Sequence, residues 1–521
     1  MGMGRALAVA LVGLHGHVIE VEADIGQTLP AFVLLGLPDA ALNEARERIR
    51  SASQNSGVPL SRRKITVNLV PASLPKKGSG FDLAIVMAAL NAAGDVRGTG
   101  STVFLAELGL DGRLRPVRGV LPAVLAGIAA GCQEFVVAQA NLAEAELVAG
   151  AKVRGYGSLA QVAADFDADP TQLVFVPWEP CGTAGGGAQR VVPADGKAGK
   201  APLADLSEVA GQGEARLALE IAAAGGHHLM MVGPPGSGKT MLAERLPGLL
   251  PDLTNEEALE VTAIHSLDTL ADGITALVRR PPYEHPHHSA STAAIIGGGS
   301  GIPRPGAASR AHRGVLFLDE APEFDKRVLD SLRQPLESGE LVLHRAAGTA
   351  AYPARFQLVL AANPCPCGKA TGKGIACECT AMARRRYFGK LSGPLLDRVD
   401  IQLQVNRVQL SQLSDTGQRE TSAQVAARVQ TARAIQAQRL RPFGLVHNAD
   451  LTGRILRGPL RLSGKDTLLL DRAMGAGTLS ARGYDRVLRL AWTVADLQGR
   501  DTPGADDVGL ALTLRQRGEG L

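Results

Sequence analysis

The segment HLMMVGPPGSGKTMLAERL, residues 228–246, constrains the fold of this chain more than any other stretch. An apolar run is followed by a loop of the pattern G-x-x-x-x-G-K-T and then by apolar residues at helical spacing. A loop of this kind wraps backbone N–H groups around phosphates at the N-terminus of a helix. A bare glycine-rich turn, the alternative, does not account for the flanking strand and helix. The sequence therefore predicts an α/β nucleotide-binding domain, with a phosphate-binding loop made of Gly233, Pro234, Pro235, Gly236, Ser237, Gly238, Lys239 and Thr240.

A second strand-like run, VLFL, ends at the carboxylates Asp319 and Glu320. We expect Lys239 to contact the β- and γ-phosphates of ATP, and Thr240 and Asp319 to bind Mg²⁺. Glu320 is expected to orient or deprotonate the attacking water. An acidic pair on the surface is the alternative, but a surface position does not require an apolar strand before it. These residues predict an ATP site that uses Mg²⁺.

A third strand-like run, FQLVLAAN, ends at Asn363. Parallel sheets bind their ligands at the carboxyl ends of strands, so we expect Asn363 to contact the same water. The stretch NPCPCGKATGKGIACECT, residues 363–380, begins at this asparagine. It holds four of the six cysteines of the chain, namely Cys365, Cys367, Cys377 and Cys379.

The cysteines form two C-x-C pairs separated by a glycine-containing loop. In a reducing compartment clustered cysteines favour metal over disulfides, and four thiolates can surround one Zn²⁺ tetrahedrally. Neither a histidine nor an open water position accompanies them, so the sequence predicts a structural rather than a catalytic zinc site. Our hypothesis is that the cluster holds the loop between Asn363 and the arginine-rich segment 384–398 in place, so that both ends of the loop keep their geometry.

Composition and charge exclude several broad classes. The 55 lysines and arginines against 51 aspartates and glutamates leave a net charge of +4, so any basic surface is local. Arg5 followed by ALAVALVGL imitates a short signal peptide, but the chain continues as an alternating strand without a small-residue cleavage site. No run of about 18 apolar residues predicts a membrane span. We expect a cytoplasmic protein with no membrane partner.

The 521 residues are too many for one hydrophobic core, and the sequence pattern divides them. Strand-like and helical runs alternate over 1–167 and over 204–405, which indicates two α/β domains. Between them, 168–203 is rich in Gly, Pro and Ala without periodicity and is predicted to be a linker. Helical spacing dominates 406–521, which predicts a helical C-terminal domain.

Several long motifs resemble one protein family. Residues 204–515 are similar to magnesium-chelatase-like AAA+ ATPases, and the full chain resembles their ComM/YifB branch. The matching segments are ALEIAAAGGHHLMMVGPPGSGKTMLAERLPGLLP, PHHSAST, IGGGSGIPRPGAASRAHRGVLFLDEAPEF, LRQPLESGE, YPARFQLVLAANPCPCG, SGPLLDRVDI and LSARGYDRVLRLAWTVADL. The resemblance implies a ring, typically a hexamer, with nucleotide sites between subunits and a C-terminal helical lid.

On this resemblance, Arg398 in GPLLDRVD matches the arginine finger that reaches the neighbouring subunit's site, and Arg482 in LSARGYDR matches the sensor-2 arginine of the lid. A permanently charged guanidinium suits the stabilisation of γ-phosphate charge. The alternative for either residue is an ion pair with a nearby carboxylate, Asp397, Asp400 or Asp485. Trp492 departs from the family, whose members usually carry arginine there, so no role is transferred to it.

The resemblance also implies two hairpin insertions, which face the central pore in related DNA motors. One is expected over 291–306, and the other is GELVLHRAAGTAAYPARF, with His344 and Arg345 near its tip. These two side chains are candidates for contact with DNA phosphates, and a structural hairpin with solvated tips is the alternative. The basic run RRRYFGK, residues 384–390, either contacts nucleic acid or forms a solvated helix face, and the helix face is favoured.

The N-terminal domain resembles the Lon-protease-like fold, with Ser79 at or beside the nucleophile position. Leu121 falls where that fold carries its catalytic lysine, and a Ser–Lys dyad without its lysine has no base. Lys76 and Lys77 are close in sequence, so a displaced base stays an alternative. We interpret this domain as a non-proteolytic binding or ring-scaffold module.

The histidines of the PHH segment, His285, His287 and His288, also invite a metal interpretation. The segment is part of the family pattern, and its residues alone do not define a role. Support of a hairpin or of an interface is favoured over metal binding.

Three functions of different classes fit these features. The favoured one is an ATP-driven DNA motor that migrates branched junctions and helps to integrate homologous DNA in natural transformation, as the N-terminal domain, the hairpins and the cysteines suggest by resemblance. A MoxR-like or chelatase-like remodelling chaperone acting on a protein partner is the alternative. An ATP-dependent protease is disfavoured by Leu121.

Overall fold

The computed structural model describes most of the chain. The described residues are 2–27, 29–36, 40–74, 76, 78–177, 204–268, 274–299, 303–345, 348–370, 377–408 and 419–516. Within these ranges no helix combines the length and the apolar character that crossing a bilayer requires. The predicted α/β architecture with a helical C-terminal region is confirmed.

The N-terminal part is built on a mixed seven-stranded sheet of order β3-β4-β2-β1-β5-β8-β9. Its strands are β1 Gly4–Val12, β2 His15–Gly26, β3 Phe32–Leu35, β4 Lys64–Val70, β5 Thr102–Leu105, β8 Glu134–Ala138 and β9 Lys152–Tyr156, with β6 Glu107–Leu108 and β7 Leu114–Arg115 as a separate pair. Its α-helices are Ala40–Asn55, Asp82–Ala93, Val120–Ala129, Leu142–Ala145 and Leu159–Asp165. Helix Asp82–Ala93 is buried over most of its length and packs on β1 and β2.

The predicted linker begins on this first unit. Ala168 is buried, and the backbone N–H of Val174 donates a hydrogen bond of 3.1 Å to the carbonyl of Ser56. The segment 168–174 is therefore packed on the N-terminal part, whereas 178–203 lies outside the described residues.

The central part is a five-stranded, fully parallel sheet of order β11-β14-β17-β10-β18. Its strands are β10 Leu229–Val232, β11 Tyr283–Glu284, β14 Val315–Leu318, β17 Gln357–Ala362 and β18 Ile401–Gln404. Strands β10, β14 and β17 are buried at every position, as expected for a parallel sheet covered on both faces. The helices around it are Gly213–Gly225, Lys239–Arg245, Asn255–Ser266, Thr292–Ile296, Ala307–Arg310, Lys326–Ser331, Arg333–Ser338, Ala381–Phe388 and Gly393–Leu396.

Both expected hairpins are present beside this sheet. The short pair β12 Gly297–Gly298 and β13 Arg304–Pro305 is antiparallel, and so is the longer pair β15 Glu340–Arg345 and β16 Gly348–Pro353. In the longer hairpin the Nδ1 atom of His344 lies 3.0 Å from the hydroxyl of Thr349 across the strands. Strand β16 packs on β1 of the N-terminal part, so this hairpin is in contact with another part of the chain.

Hydrogen bonds also join the N-terminal part to the end of helix Asn255–Ser266. The backbone N–H of Gly119 donates to the carbonyl of Ser266 at 3.1 Å, and the Ser266 hydroxyl donates to the buried carboxylate of Glu144. Burial raises the pKa of Glu144, and three donors, including the backbone N–H of Leu121, satisfy its oxygens. This junction orients the first unit on the central part.

The C-terminal part consists of helices Ser422–Leu440, Gly453–Leu456, Leu468–Gly475, Ala481–Leu497 and Ala505–Gln516.

A buried polar network joins the C-terminal part to the central sheet. His227, just before β10, contacts Asp400 at 3.0 Å through Nδ1 and Thr493 at 2.7 Å through Nε2. Arg486 forms an ion pair with the same Asp400. Trp492 lies at this junction, where the guanidinium of Arg439 packs 4.5 Å from its ring centroid.

Candidate nucleotide site and cysteine cluster

The phosphate-binding loop runs from the end of β10 to the start of helix Lys239–Arg245. Gly236 and Gly238 adopt φ angles of +75° and +89°, which side chains with a Cβ rarely tolerate. At Gly233 a Cβ would lie 2.2 Å from the carbonyl oxygen of Val405. The glycines are therefore required by the backbone path of the loop.

Lys239 is held inside this loop. Its ammonium group donates to the carbonyls of Gly233 at 2.6 Å and Pro234 at 3.1 Å, and to the side-chain oxygen of Asn363 at 3.2 Å. Burial lowers the pKa of Lys239, and the nearby carboxylates of Asp319 and Glu320 oppose that shift. The site thus holds a positive charge where a nucleotide phosphate would have to lie.

The tip of β14 adds the carboxylates. The Thr240 hydroxyl donates to Asp319 at 2.7 Å, although the two residues are on different elements. The backbone N–H of Glu320 donates to the other oxygen of Asp319 at 2.8 Å. A hydroxyl and a carboxylate in contact beside a phosphate-binding loop form the oxygen donor set that Mg²⁺ prefers. These residues fit the ion, and the ion would supply neutralisation of phosphate charge.

Glu320 has the left-handed φ angle of +50°, an uncommon conformation for a residue with a Cβ. Its Oε2 atom lies 3.4 Å from Nδ1 of His288, and both side chains are partly exposed. Sequence reasoning favoured support of a hairpin or of an interface for the PHH segment and did not connect it with Glu320. The sequence signal for strand β11 was weak, because a strand of two residues is too short to show an alternation of apolar and polar residues.

The two candidate arginines lie near one another. Arg482 pairs with Asp397 at 3.3 Å, one residue before Arg398 in the chain, and Arg398 itself pairs with Glu337. Burial lowers the pKa of Arg398, and the positive charges of Arg333, Arg486 and Arg482 add to the shift. The ion pair considered as an alternative for Arg482 is thus present, but an exposed pair of this kind contributes little to stability.

The four sulfur atoms of the cysteine cluster lie within 4.8 Å of one another. The Sγ atom of Cys365 is 3.2 Å from that of Cys367 and 3.6 Å from that of Cys377, and the last two are 3.8 Å apart. Sulfurs bound tetrahedrally to zinc at 2.3 Å are separated by roughly 3.8 Å. The donor set therefore fits one Zn²⁺, with Cys379 as the fourth ligand.

The cysteine cluster touches the phosphate-binding loop. Cys365 is buried, and Gly368 packs so closely on Pro235 that a Cβ at Gly368 would lie 2.6 Å from the proline ring. A hydrogen bond from the backbone N–H of Lys369 lowers the pKa of Cys367, whereas the neighbouring sulfurs raise the pKa of Cys379. Residues 371–376 of the intervening loop lie outside the described part of the chain.

The basic run after the cluster forms helix Ala381–Phe388. Its three arginines, at 384–386, are exposed, whereas Tyr387 is buried and Phe388 packs on the core. The ring of Tyr387 is therefore not available to stack on a base, the ring of Phe388 is only partly exposed, and the three arginines form an exposed helix face.

Ser79, at or beside the expected nucleophile position of the N-terminal part, has no hydrogen bond to a lysine among the described residues. Ser79 donates its hydroxyl to Glu107, and the buried Lys76 donates to the carbonyl of Pro71. Leu121 is fully buried in the hydrophobic core. Lys77 lies outside the described residues. A proteolytic Ser–Lys pair is absent from the described geometry of this region.

Comparison with known families identifies three matches along the chain. The family described as "Magnesium chelatase, subunit ChlI" matches residues 205–413. "Subunit ChlI of Mg-chelatase" matches 21–141, and "Magnesium chelatase, subunit ChlI C-terminal" matches 419–515.

Individual relatives cover almost the whole chain. An uncharacterized protein of Mycobacterium tuberculosis is 51% identical over 99% of this chain and 99% of its own length. The competence protein ComM of Haemophilus influenzae is 40% identical over 96% of this chain and 94% of its own length. The protein YifB of Escherichia coli is 41% identical over 94% of this chain and 93% of its own length.

Proposed function

Because this chain belongs to the magnesium-chelatase-like ComM/YifB family of AAA+ ATPases, we propose that it is an ATP-hydrolysing ring motor that acts on DNA. Its work would be branch migration that promotes the integration of homologous DNA during transformation or recombination. We further propose that it is cytoplasmic and assembles as a hexamer.

The grouping of five side chains at one edge of the parallel sheet carries this proposal. Lys239 binds the β- and γ-phosphates, Thr240 and Asp319 hold Mg²⁺, and Glu320 and Asn363 orient the attacking water. The support is the pair of hydrogen bonds that joins them, from Thr240 to Asp319 and from Lys239 to Asn363. Their chemistry is phosphoryl transfer to water, in which positioning and charge stabilisation supply most of the catalysis.

We propose that Arg398 acts as the arginine finger in the neighbouring subunit's site and that Arg482 binds γ-phosphate charge as sensor 2. The ion pair between Arg482 and Asp397, the residue before Arg398, supports this assignment because it brings the two arginines close to one another. Because Arg482 is largely exposed there, with a side-chain exposure of 77%, it is available to a nucleotide on an adjoining subunit. A finger of this kind raises the rate by about 10³ to 10⁵.

The DNA partner is supported by the hairpins and by one relative. The pair β12–β13 and the pair β15–β16 match the insertions of pore-facing motors, and His344 is exposed near the tip of the second. The side chain of Arg345 lies outside the described residues. The relative named competence protein ComM covers nearly the whole chain, which favours DNA over other substrates.

A structural Zn²⁺ bound by Cys365, Cys367, Cys377 and Cys379 completes the proposal. The close packing of Gly368 on Pro235 supports a role in holding the phosphate-binding loop. The N-terminal part is proposed to be a non-proteolytic scaffold, since the fully buried Leu121 falls at the position where the resemblance implies a catalytic lysine.

The alternative is a remodelling ATPase that acts on a protein partner, in the manner of MoxR-like proteins. It is favoured by one observation: the family that matches 205–413 is described by a magnesium chelatase subunit. This alternative keeps the same nucleotide site and differs in what the hairpins contact.

The deciding experiment measures the ATPase rate at one low salt concentration without DNA and with single-stranded, duplex, forked and four-way-junction DNA. Glu320→Gln serves as the blank, because it removes the carboxylate without removing the phosphate-binding loop. Strong stimulation by branched DNA supports the motor. A wild-type rate that responds to none of these DNAs favours the remodelling ATPase, and wild-type turnover by Glu320→Gln contradicts the role of Glu320.

A further inference from the structure

A cavity of about 380 Å³ lies between the N-terminal part and the first hairpin, the pair β12–β13. Its walls come from the end of β1, the loops 78–81 and 116–119, and Arg304 on strand β13. Pockets that hold small molecules have volumes of this order. Its described lining residues include two arginines, Arg118 and Arg304, and one carboxylate, that of Glu107. The lining of the cavity therefore carries an excess of positive charge.

The two arginines come from different parts of the chain, and their charges interact. Desolvation lowers the pKa of Arg118, the positive charge of Arg304 adds to that shift, and Asp268 opposes it. Asp268 itself pairs with Arg310 at 3.4 Å. Within the described ranges, neither the guanidinium of Arg118 nor that of Arg304 is hydrogen-bonded or ion-paired. Two like charges without an ion-pair partner favour the binding of an anion beside them.

The backbone on both sides of Arg118 is fixed. The backbone N–H of Val117 donates to the side-chain oxygen of Asn141 at 2.9 Å, and the Asn141 amide donates to the carbonyl of Val117 at 3.0 Å. Asn141 is fully buried. On the other side, the N–H of Gly119 donates to the carbonyl of Ser266 at 3.1 Å. Arg118 is thus an exposed side chain on a well-held loop.

The backbone around Arg304 is held in a comparable way. The hydroxyl of the buried Tyr352 donates to the carbonyl of Pro303, and Arg310 donates to the carbonyl of Pro305 at 3.4 Å. The side chain of Arg304 is exposed, so a ligand can reach it. Because both arginines project from fixed backbones, binding a shared anion orders little besides the two side chains.

The remaining walls suit a small organic ligand. Glu107 accepts a hydrogen bond from the Ser79 hydroxyl, and a carboxylate can also accept from a hydroxyl of a ligand. Val9 and Leu11 add apolar surface. The first turn of helix Val120–Ala129 also lines the cavity and has no side-chain cap. The positive end of this helix adds to the preference for an anion.

We propose that this cavity binds a small phosphorylated ligand, whose phosphate pairs with Arg118 and Arg304 and whose hydroxyl groups donate to Glu107. The ligand links the first hairpin to the N-terminal part. The size of the cavity favours a small molecule over DNA, whose duplex carries one charge per about 1.7 Å along an extended axis. The proposal does not depend on the proposed ATPase function, because none of these three residues belongs to the nucleotide site.

The test measures binding of inorganic phosphate and of ribose 5-phosphate by isothermal titration calorimetry at constant ionic strength. The full-length Lys239→Ala variant is used throughout, because it removes the lysine that would bind phosphates in the nucleotide loop. Saturable binding of one ribose 5-phosphate per chain is expected. Ribose 5-phosphate should bind about threefold to tenfold more tightly than inorganic phosphate, since its hydroxyls reach Glu107.

The arginines are tested by substitution in the same background. Arg118→Ala and Arg304→Ala should each weaken ribose 5-phosphate binding by about tenfold to a hundredfold, because each removes a charged hydrogen-bond donor. Arg97→Ala, which removes an exposed arginine elsewhere on the N-terminal part, is the matched control and should change the affinity by less than about twofold. Without ligand, neither cavity variant should melt below its parent, since each relieves the repulsion between two guanidinium groups.

Several results would overturn the proposal. Absence of saturable binding of both probes excludes the site, and equal affinities for the two probes contradict the contact with Glu107. A lower melting temperature of Arg118→Ala and Arg304→Ala with unchanged probe affinity would leave the arginines a structural role only. Displacement of ribose 5-phosphate by a single-stranded oligonucleotide, with an equal loss of DNA affinity in both variants, would identify a DNA phosphate as the occupant. None of these measurements requires ATP hydrolysis, so their outcome is separate from that of the ATPase assay.

Discussion

The ammonium group of Lys239 lies 3.2 Å from the side-chain oxygen of Asn363, although the two residues are 124 positions apart in the chain. Parallel pairing of β10 with β17 produces this contact, since each residue follows the end of its strand. Both remaining hydrogen bonds of Lys239 go to loop carbonyls, of Gly233 and Pro234. The lysine is thus held by groups that follow two neighbouring strands.

Substitutions of these two residues are expected to separate binding from hydrolysis. Lys239→Ala should abolish detectable ATP binding, because it removes the charge that faces the phosphates. Asn363→Ala should retain ATP binding and lower kcat by about a hundredfold, because it removes a water-orienting group. Fluorescent-nucleotide titration and steady-state kinetics measure the two effects. Equal loss of binding in both variants would contradict the assigned division of roles.

The arginine finger is tested by mixing inactive subunits. Arg398→Ala should lower kcat by about 10³-fold, since it removes a guanidinium from the neighbouring site. Mixed with Lys239→Ala it should regain part of the activity, because some interfaces then combine an intact loop with an intact finger. Arg384→Ala, on the exposed helix Ala381–Phe388, is the matched control and should keep wild-type turnover. Absence of rescue would favour a local role for Arg398 in its pair with Glu337.

Removal of one cysteine is expected to disturb both the metal and the nucleotide loop. Cys365→Ser should reduce zinc from about one ion per chain to near zero, because a closed structural site uses all four thiolates. The affinity for ATP should fall as well, since the cluster loop packs on Pro235 through Gly368. Metal analysis and nucleotide titration measure the two changes. The control is Cys132→Ser, which replaces a free cysteine in the N-terminal part. Unchanged zinc content and unchanged ring assembly in Cys365→Ser would contradict the hypothesis.

The buried histidine His228 is expected to lower the stability of the protein in mild acid. Burial lowers the pKa of His228 to about 4, and Nδ1 of this residue accepts the backbone N–H of Leu358 at 3.0 Å. Between the ordinary value of about 6.5 and this lowered one, the unfolded chain binds a proton that the folded chain does not. The free energy of unfolding therefore decreases as pH falls, by up to about 1.4 kcal/mol per pH unit for each such histidine. His447, whose pKa burial lowers to about 3, acts in the same direction.

Thermal unfolding between about pH 7 and pH 5 measures this effect. His228→Asn keeps an acceptor for the Leu358 N–H and removes the titrating group. Its melting temperature should decrease less steeply with pH than that of the wild type. Identical slopes for the two proteins would exclude His228 as a source of the acid sensitivity.

Several parts of the site were predictable from local pattern. The loop from Gly233 to Thr240, the carboxylates after VLFL and the asparagine after FQLVLAA each follow an apolar run that is recognisable alone. The basic run was expected to form a helix face, and its three arginines are exposed on helix Ala381–Phe388, whereas the ring of Tyr387 is buried. Local patterns identify these segments because the buried face of a strand or helix follows from the spacing of its apolar residues.

Other relationships could not be read from the chain. The bridge of His227 to Asp400 and Thr493 joins segments from different parts of the molecule. The contact between strand β16 and the N-terminal sheet likewise joins two separately predicted units. Neither composition nor periodicity carries information about such pairings.

The sequence by itself determined which chemical groups are present: a phosphate-binding loop, two carboxylates, an asparagine at a strand end and four clustered thiols. Only the tertiary structure decided which of them meet. The order β11-β14-β17-β10-β18 brings Asn363 to Lys239 on one side of β14 and His288 to Glu320 on the other. The physical reason is that the side chains encode the burial of each strand, whereas the neighbours of a strand depend on how all strands and helices pack together.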